Sequence, residues 1–241
     1  MRHSLAALVA VSAALAGCQA RGEEGPGATV SRNYQIGNFH EIEVAGPYDV
    51  DVRTGTNASV AARGSEKLLE HTVVEVKGDK LVIRPERQHS WLGTPWHNNG
   101  KASFTVTVPQ LSGATIAGSG DIRIDKVSGP EFEGTVAGSG GLNVGALDVQ
   151  QLKLAIAGSG GAKAAAGQAR SANYEIAGSG GVDAAKVATQ AVDISIAGSG
   201  NVRAHASGTA KVSIMGSGNV VVAGGAKCEV SKVGSGNVRC S

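Results

Sequence analysis

Aromatic side chains are nearly missing, with three Phe, three Tyr and two Trp making up 3% of a 241-residue chain. An interior filled by bulky rings is thereby excluded, and the core must be thin and built from Val, Ile, Leu and Ala. Charge is balanced as well, 22 Lys+Arg against 20 Asp+Glu, for a formal net charge of +2. So small a surplus gives no electrostatic hold on a phosphate backbone, and nucleic acid is not an expected partner. No apolar run is long enough to cross a bilayer; the longest reaches from Ser4 to Ala16. What the chain has in quantity is glycine, 36 residues.

Arg2 and His3 precede that apolar run, and a positive start followed by a short apolar stretch reads as a cleaved export signal over residues 1–17. It closes on Leu15-Ala16-Gly17-Cys18, which looks like a bacterial lipobox: small residues fit the lipoprotein signal peptidase, and the Cys18 thiol would take the diacylglycerol. Cleavage there removes Arg2, leaving 21 basic against 20 acidic residues and a charge of +1. Residues 18–32, with Gly22-Glu23-Glu24-Gly25-Pro26-Gly27 among them, lack apolar periodicity and read as a flexible tether. Gln19, rather than Asp, follows the lipidation site, which favours the outer membrane, facing the periplasm or the cell surface. The expected membrane partner is the bilayer itself, through the lipid on Cys18.

Gly-Ser-Gly recurs with its first glycine at Gly118, Gly138, Gly158, Gly178, Gly198, Gly216 and Gly234, at spacings of 20, 20, 20, 20, 18 and 18. A fixed period of this size marks a stacked repeat. Two residues before the corner stand Ile116, Val136, Ile156, Ile176, Ile196 and Ile214, and four before it Leu154, Tyr174, Ile194, Val212 and Val230. Past it come Ile122, Leu142, Ala162, Val182, Val202, Val220 and Val238, then Ile124, Val144, Ala164, Ala184, Ala204, Val222 and Cys240. Alternation of period two on both sides means strand, corner, strand. The residues between, Arg123, Asn143, Lys163, Asp183, Arg203, Val221 and Arg239, are mostly polar and face water.

These patterns predict an all-β fold, a right-handed parallel β-helix with Gly-Ser-Gly corners over residues 109–241. Each coil would close through a looser return of six to eight residues, and at ~4.8 Å per coil seven coils rise roughly 34 Å. Ser119 and its counterparts between the corner glycines form a ladder up one edge, and Asn201, Asn219 and Asn237, just after the corner, fit the same picture because Asn tolerates the left-handed region and stacks well. A propeller needs about twice this repeat, and a meander needs turn signals at both strand ends.

Residues 33–108 lack the corner but alternate at Ile42/Val44, Tyr48/Val50/Val52, Val74/Val76, Leu81/Ile83 and Phe104/Val106/Val108, with one helical turn over Ser65–Glu70. They would supply irregular first coils or a cap. At the other end Lys232 takes a stack position held elsewhere by Ile or Val, blunting the edge, and Cys228 and Cys240 share the inward phase of the last coil, where a disulfide is expected in an exported protein.

The order Gly37-Asn38-Phe39-His40-Glu41-Ile42-Glu43-Val44, Gly46-Pro47-Tyr48-Asp49-Val50-Asp51-Val52, Leu81-Val82-Ile83-Arg84 and Phe104-Thr105-Val106-Thr107-Val108-Pro109, leading into Ala117-Gly118-Ser119-Gly120-Asp121-Ile122, resembles the putative auto-transporter adhesin head GIN domain family over roughly residues 33–241. The resemblance implies a secreted or lipid-anchored bacterial β-helix protein and carries over no catalytic residue. The stretch Gln88–Lys101 is longer than the connection usual in that family.

Glycine-flanked Ser119 invites a nucleophile reading, but an elbow needs a single strand-to-helix turn with a positioned base, and seven copies speak for architecture. Asp121 and Asp125 could hold calcium, except that Gly and Asn replace Asp121 in later coils. Arg123, Lys163, Arg203 and Arg239 share a column that a polysaccharide lyase could use, broken by Asn143, Asp183 and Val221. The segment His89-Ser90-Trp91-Leu92-Gly93-Thr94-Pro95-Trp96-His97 holds both tryptophans; it serves either as a contact loop, as a cover for the open end, or, through His89 and His97, as a metal ligand pair. No cofactor and no metal are expected. The leading reading is a non-enzymatic envelope lipoprotein that presents a rigid β-helix for adhesion or scaffolding to an envelope protein or glycan. A carbohydrate-active enzyme and an accessory subunit in envelope sensing are the alternatives.

Overall fold

A computed structural model describes residues 28–86 and 101–241. Ahead of the repeats lie β1 (Thr29–Tyr34), β2 (Glu41–Ala45), β3 (Asp49–Thr54), β4 (Ser59–Ser65), α1 (Glu66–Glu70), β5 (Thr72–Lys77), β6 (Lys80–Pro85) and β7 (Ala102–Val108). The repeats form β8 (Gly113–Gly118), β9 (Asp121–Gly138), β10 (Gly141–Gly158), β11 (Gly161–Ala164), β12 (Gly167–Gly178), β13 (Gly181–Gly198), β14 (Asn201–Gly216), β15 (Asn219–Ala223), β16 (Lys227–Val233) and β17 (Asn237–Cys240). All 17 strands belong to one sheet, whose repeat strands pair in parallel and in register, Gly118 with Gly138 and Ile156 with Ile176. The molecule is a parallel β-solenoid.

The coils contain more strand than the repeat suggested. β9, β10 and β13 each run 18 residues from one corner to the next, so the returns expected as loose connections are themselves hydrogen-bonded strand. Bends show instead as two successive outward residues, Asp125-Lys126, Gly145-Ala146 and Gln150-Gln151, after which the alternation restarts in a new phase. A third inward face follows, lined by Val127, Leu147 and Val187, and a further inward column, Phe132, Leu152, Ala172, Val192 and Ala210, precedes those read from the sequence. The 18-residue coil arises at these bends: the offset between β13 and β14 is 20 at Asp183/Arg203, 17 at Ala188/His205 and 18 at Ala191/Thr209. Buried Thr189 pins that shift by donating to the His205 carbonyl at 2.7 Å, while Ser207 donates to the Thr189 carbonyl at 3.2 Å.

Packing inside the stack conserves volume between coils. Leu142, Val144, Leu147, Leu152 and Leu154 fill one coil, and the next has Ala162, Ala164, Ala169 and Ala172 around Tyr174, whose ring is fully buried. Small neighbours make room for the one large ring.

Along the N-terminal half the stacking order departs from chain order. β2 and β3 lie between β6 and β7 on one side and β8 and β9 on the other, all parallel. The N-terminal end is then closed by antiparallel strands, β5 on β6 and β1 on β4 on β7, with Leu68 and Leu69 of α1 buried beneath. First coils and cap are therefore both present, and the sheet continues unbroken across the 108/109 boundary drawn from the sequence. β1 begins at Thr29, inside the 18–32 stretch read as tether. Asp125 ties the two halves, its carboxylate accepting from the Thr54 backbone N–H at 3.0 Å and hydroxyl at 3.1 Å.

At the C-terminal end Lys232 stacks on Ile214 and its ammonium donates to the Gly236 carbonyl at 2.9 Å. Cys228 and Cys240 are joined by a disulfide with Cα atoms 6.6 Å apart. Closing a 12-residue separation contributes about 3 kcal/mol, and in a solenoid each coil answers chiefly to its neighbours. Replacing both cysteines by serine is thus expected to raise amide exchange in β16 and β17 while β10 to β13 keep their protection; loss spread evenly through the stack would contradict nearest-neighbour coupling.

Candidate functional site

Each first corner glycine has φ between +117° and +139°, and from Ser139 to Ser217 the serine N–H that follows it bonds to the glycine carbonyl one coil back, Ser139 to Gly118 at 3.0 Å and Ser179 to Gly158 at 2.9 Å. The serine side chains are exposed and repeat coil after coil, as a structural ladder does. No non-glycine residue has positive φ among the described residues. Asn201, Asn219 and Asn237 therefore do not use the left-handed region, contrary to that part of the expectation; they begin strands and stack as expected, Asn219 Nδ2 donating to Asn201 Oδ1 at 3.0 Å.

Just past the corner, on the outer face of the second strand, one column reads Asp121, Gly141, Gly161, Gly181, Asn201 and Asn219. Three successive glycines leave a trough with a volume near 550 Å³. Asp121 stands at one end, accepting from the Gly141 N–H at 2.8 Å and from Arg123 at 3.3 Å, and the Asn201–Asn219 amide pair stands at the other. The long wall is the neighbouring outward column, Asn143, Lys163, Asp183, Arg203 and Val221. Within it Asp183 stacks between Lys163 and Arg203, with 3.9 Å to the Arg203 guanidinium. The floor's own backbone is already paired between coils, Gly161 N–H to the Gly140 carbonyl at 3.1 Å and Gly181 N–H to the Gly160 carbonyl at 3.2 Å. What the trough offers a ligand is side-chain amides, two cations and a carboxylate over a flat, shape-neutral floor. It offers no nucleophile with a base.

The column of Arg123, Lys163, Arg203 and Arg239 thus exists, but its cations alternate with Asn143, Asp183 and Val221 rather than clustering. Asp121 and Asp125, weighed for calcium, are engaged by backbone N–H groups. Among the described residues no three of His, Cys, Asp or Glu converge to hold a metal ion. A second hollow, lined by Glu41, Lys80, Glu131 and Glu133, is occupied by its own ion pairs, Glu41 with Lys80 at 3.3 Å and Glu131 with Lys153 at 2.6 Å. The hydrogen bond to Glu131 holds the Lys153 pKa above its ordinary value.

Cys18, His89, Trp91, Trp96 and His97 lie outside the described residues. β6 stacks on β2 on β8, and β7 on β3 on β9. The link between β8 and β9 is Ser119-Gly120, that between β2 and β3 is Gly46-Pro47-Tyr48, and that between β6 and β7 runs through residues 86–101. In chain order both tryptophans fall between β6 and β7. Gly46, with φ +115°, takes the role of the first corner glycine, its N–H bonding to the Ala117 carbonyl at 2.9 Å. The trough escaped sequence reading because its glycines adjoin corner glycines of identical type; the signal available was their replacement by Asp and Asn at the column's two ends.

A profile of the family described as putative auto-transporter adhesin, head GIN domain matches residues 38–226. The fold is shared with solved structures. A putative adhesin from Bacteroides fragilis is 21% identical with a TM-score of 0.79, covering 89% of this chain and 97% of that one. A putative lipid binding protein from Parabacteroides distasonis is 24% identical with a TM-score of 0.67, covering 90% and 98%. A putative adhesin from Parabacteroides merdae is 20% identical with a TM-score of 0.64, again covering 90% and 98%. No curated protein matches the chain.

Proposed function

Because the chain belongs to the putative auto-transporter adhesin, head GIN domain family, we propose that it is a non-enzymatic, adhesion-type module of the cell envelope, anchored by a lipid on Cys18 and making contact through the open outer face of its solenoid. The observation that supports this reading is the trough over Gly141, Gly161 and Gly181: a polar-walled site on a stack whose floor backbone N–H groups are already paired. Such a surface binds without rearranging, since ordering costs have been met on folding. Trp91 and Trp96 on the β6–β7 connection are further contact candidates.

The test has two parts. Cys18→Ser is expected to abolish palmitate labelling and move the protein from the membrane fraction to the soluble one; unchanged labelling would remove the anchor from the proposal. Beads carrying the soluble chain are expected to retain envelope fragments or cells, with loss when Lys163 and Arg203 are both changed to Ala. Equal retention by that variant and the parent would sink the trough as the contact face, and loss with Trp91→Ala/Trp96→Ala instead would move the contact to the connection.

A further inference from the structure

We infer that the trough binds a linear hexose polysaccharide laid along the solenoid axis, one sugar unit to a coil. This rests on the adhesion reading above and names its partner. The first ground is that Gly161 and Gly181 are required by nothing in the fold. Neither has positive φ, and a Cβ added at each would meet its nearest atom at 3.6 Å (the Gly181 carbonyl) and 3.4 Å (the Asn201 carbonyl), ordinary contact distances. The same column position carries Asn in the coils that follow. Glycine inside a strand weakens it relative to a residue with a side chain, so folding alone favours filling these positions. What their emptiness leaves is the trough, walled by Lys163, Asp183 and Arg203 and lined at one end by the Asn201 and Asn219 amides.

The second ground is repeat distance. Coils are spaced by ~4.8 Å, whereas an extended peptide presents same-side groups every ~6.6 Å and drifts out of step within two coils. A pyranose ring advances its chain by close to one coil. A peptide is further disfavoured because strand addition needs an unpaired edge, and the N–H groups of Gly161, Gly181 and Asn201 are all bonded to the coil behind. The third ground is chemistry. Sugar hydroxyls both donate and accept, and the lining answers with Asn143, Asn201 and Asn219 amides, two cations and one carboxylate. Phe39, Tyr48, Phe104, Phe132 and Tyr174 are buried, so recognition here is by hydrogen bonds rather than ring stacking.

The experiment titrates the full mature chain with cello-, chito- and alginate oligomers of two to six units, using the parent and Gly161→Asn/Gly181→Asn. Asn is native to this column, so the variant keeps the fold, and a melting temperature equal to or above the parent's verifies that. Binding is expected to strengthen with length up to about four units, the four coils from Gly141 to Asn201, and to fall at least tenfold in the filled variant. Bead adhesion of both proteins is measured alongside. Adhesion lost on filling with no oligomer bound by the parent would overturn the glycan assignment and leave the adhesion reading standing. Oligomer binding lost on filling with no adhesion by either protein would leave the glycan assignment standing and overturn adhesion. Oligomer binding and adhesion both indifferent to filling would overturn the glycan assignment and remove the trough as the contact face.

Discussion

Gly158→Ala/Gly160→Ala is expected to lower the melting temperature by on the order of 10 °C or more, while Gly161→Ala, the next residue along, leaves it unchanged or slightly higher. Gly158 has φ +125°, and a Cβ there would sit 2.5 Å from the Gly138 carbonyl oxygen and 3.2 Å from its carbon. At Gly160 the conflict is with the Gly140 carbonyl oxygen at 2.5 Å and Val136 Cγ1 at 2.6 Å. Backbone strain of this kind costs about 1–3 kcal/mol and overpacking a similar amount. At each position one obstacle is a backbone carbonyl of the coil behind, which cannot move without breaking the register of every coil above. Gly161 is free of both, and replacing a strand glycine gains roughly 0.5–1 kcal/mol. Thermal melts of the two variants decide the matter: a similar loss in both would show that Gly161 is also a packing glycine, and the trough would lose its meaning.

Tyr174→Ala is expected to cost about 3–5 kcal/mol, while Tyr174→Phe stabilises by about 1 kcal/mol. The ring fills the space left by Ala162, Ala164, Ala169 and Ala172, so truncation leaves a cavity that alanines cannot close. Its hydroxyl is buried with no hydrogen-bond partner, and removing it relieves an unmet desolvation. Burial also pushes the Tyr174 pKa well above the ordinary tyrosine value. A raised pKa means that the unfolded state releases this proton first. The stabilising contribution is whole below pH ~10 and is lost at about 1.4 kcal/mol per pH unit as pH climbs from there toward the folded-state pKa. Tyr34 and Tyr48 are shifted in the same direction by burial, so the comparison that isolates Tyr174 is parent against Tyr174→Phe in urea melts from pH 8 to 11.5. Parallel stability curves would mean that the Tyr174 hydroxyl is hydrated in the native state.

Most of the repeat architecture was legible because a stacked fold writes itself locally. Ile116, Val136, Ile156 and Ile176 sit at one spacing from each corner, and the structure stacks them directly. The Cys228–Cys240 pairing and the inward Lys232 position were readable for the same reason. The third inward face was not, since Val127 and Leu147 follow a bend where two outward residues reset the alternation, and a phase break looks like a loop in one dimension. The left-handed role given to Asn201 failed because a residue after a corner glycine resembles a corner residue until φ is known.

The one-dimensional pattern of apolar alternation and glycine spacing by itself determined that the chain coils, where its glycine corners fall and which side chains beside those corners enter the core, because each of these is settled within one repeat. Only the tertiary structure decided that β2 and β3 insert between β6–β7 and β8–β9, and that three glycines beside the corners open a cavity while their neighbours close a turn. Parallel pairing joins segments remote in sequence through backbone groups common to all residues, so it leaves no local mark. Whether a glycine is a necessity or a vacancy depends on the atoms of the coil behind it.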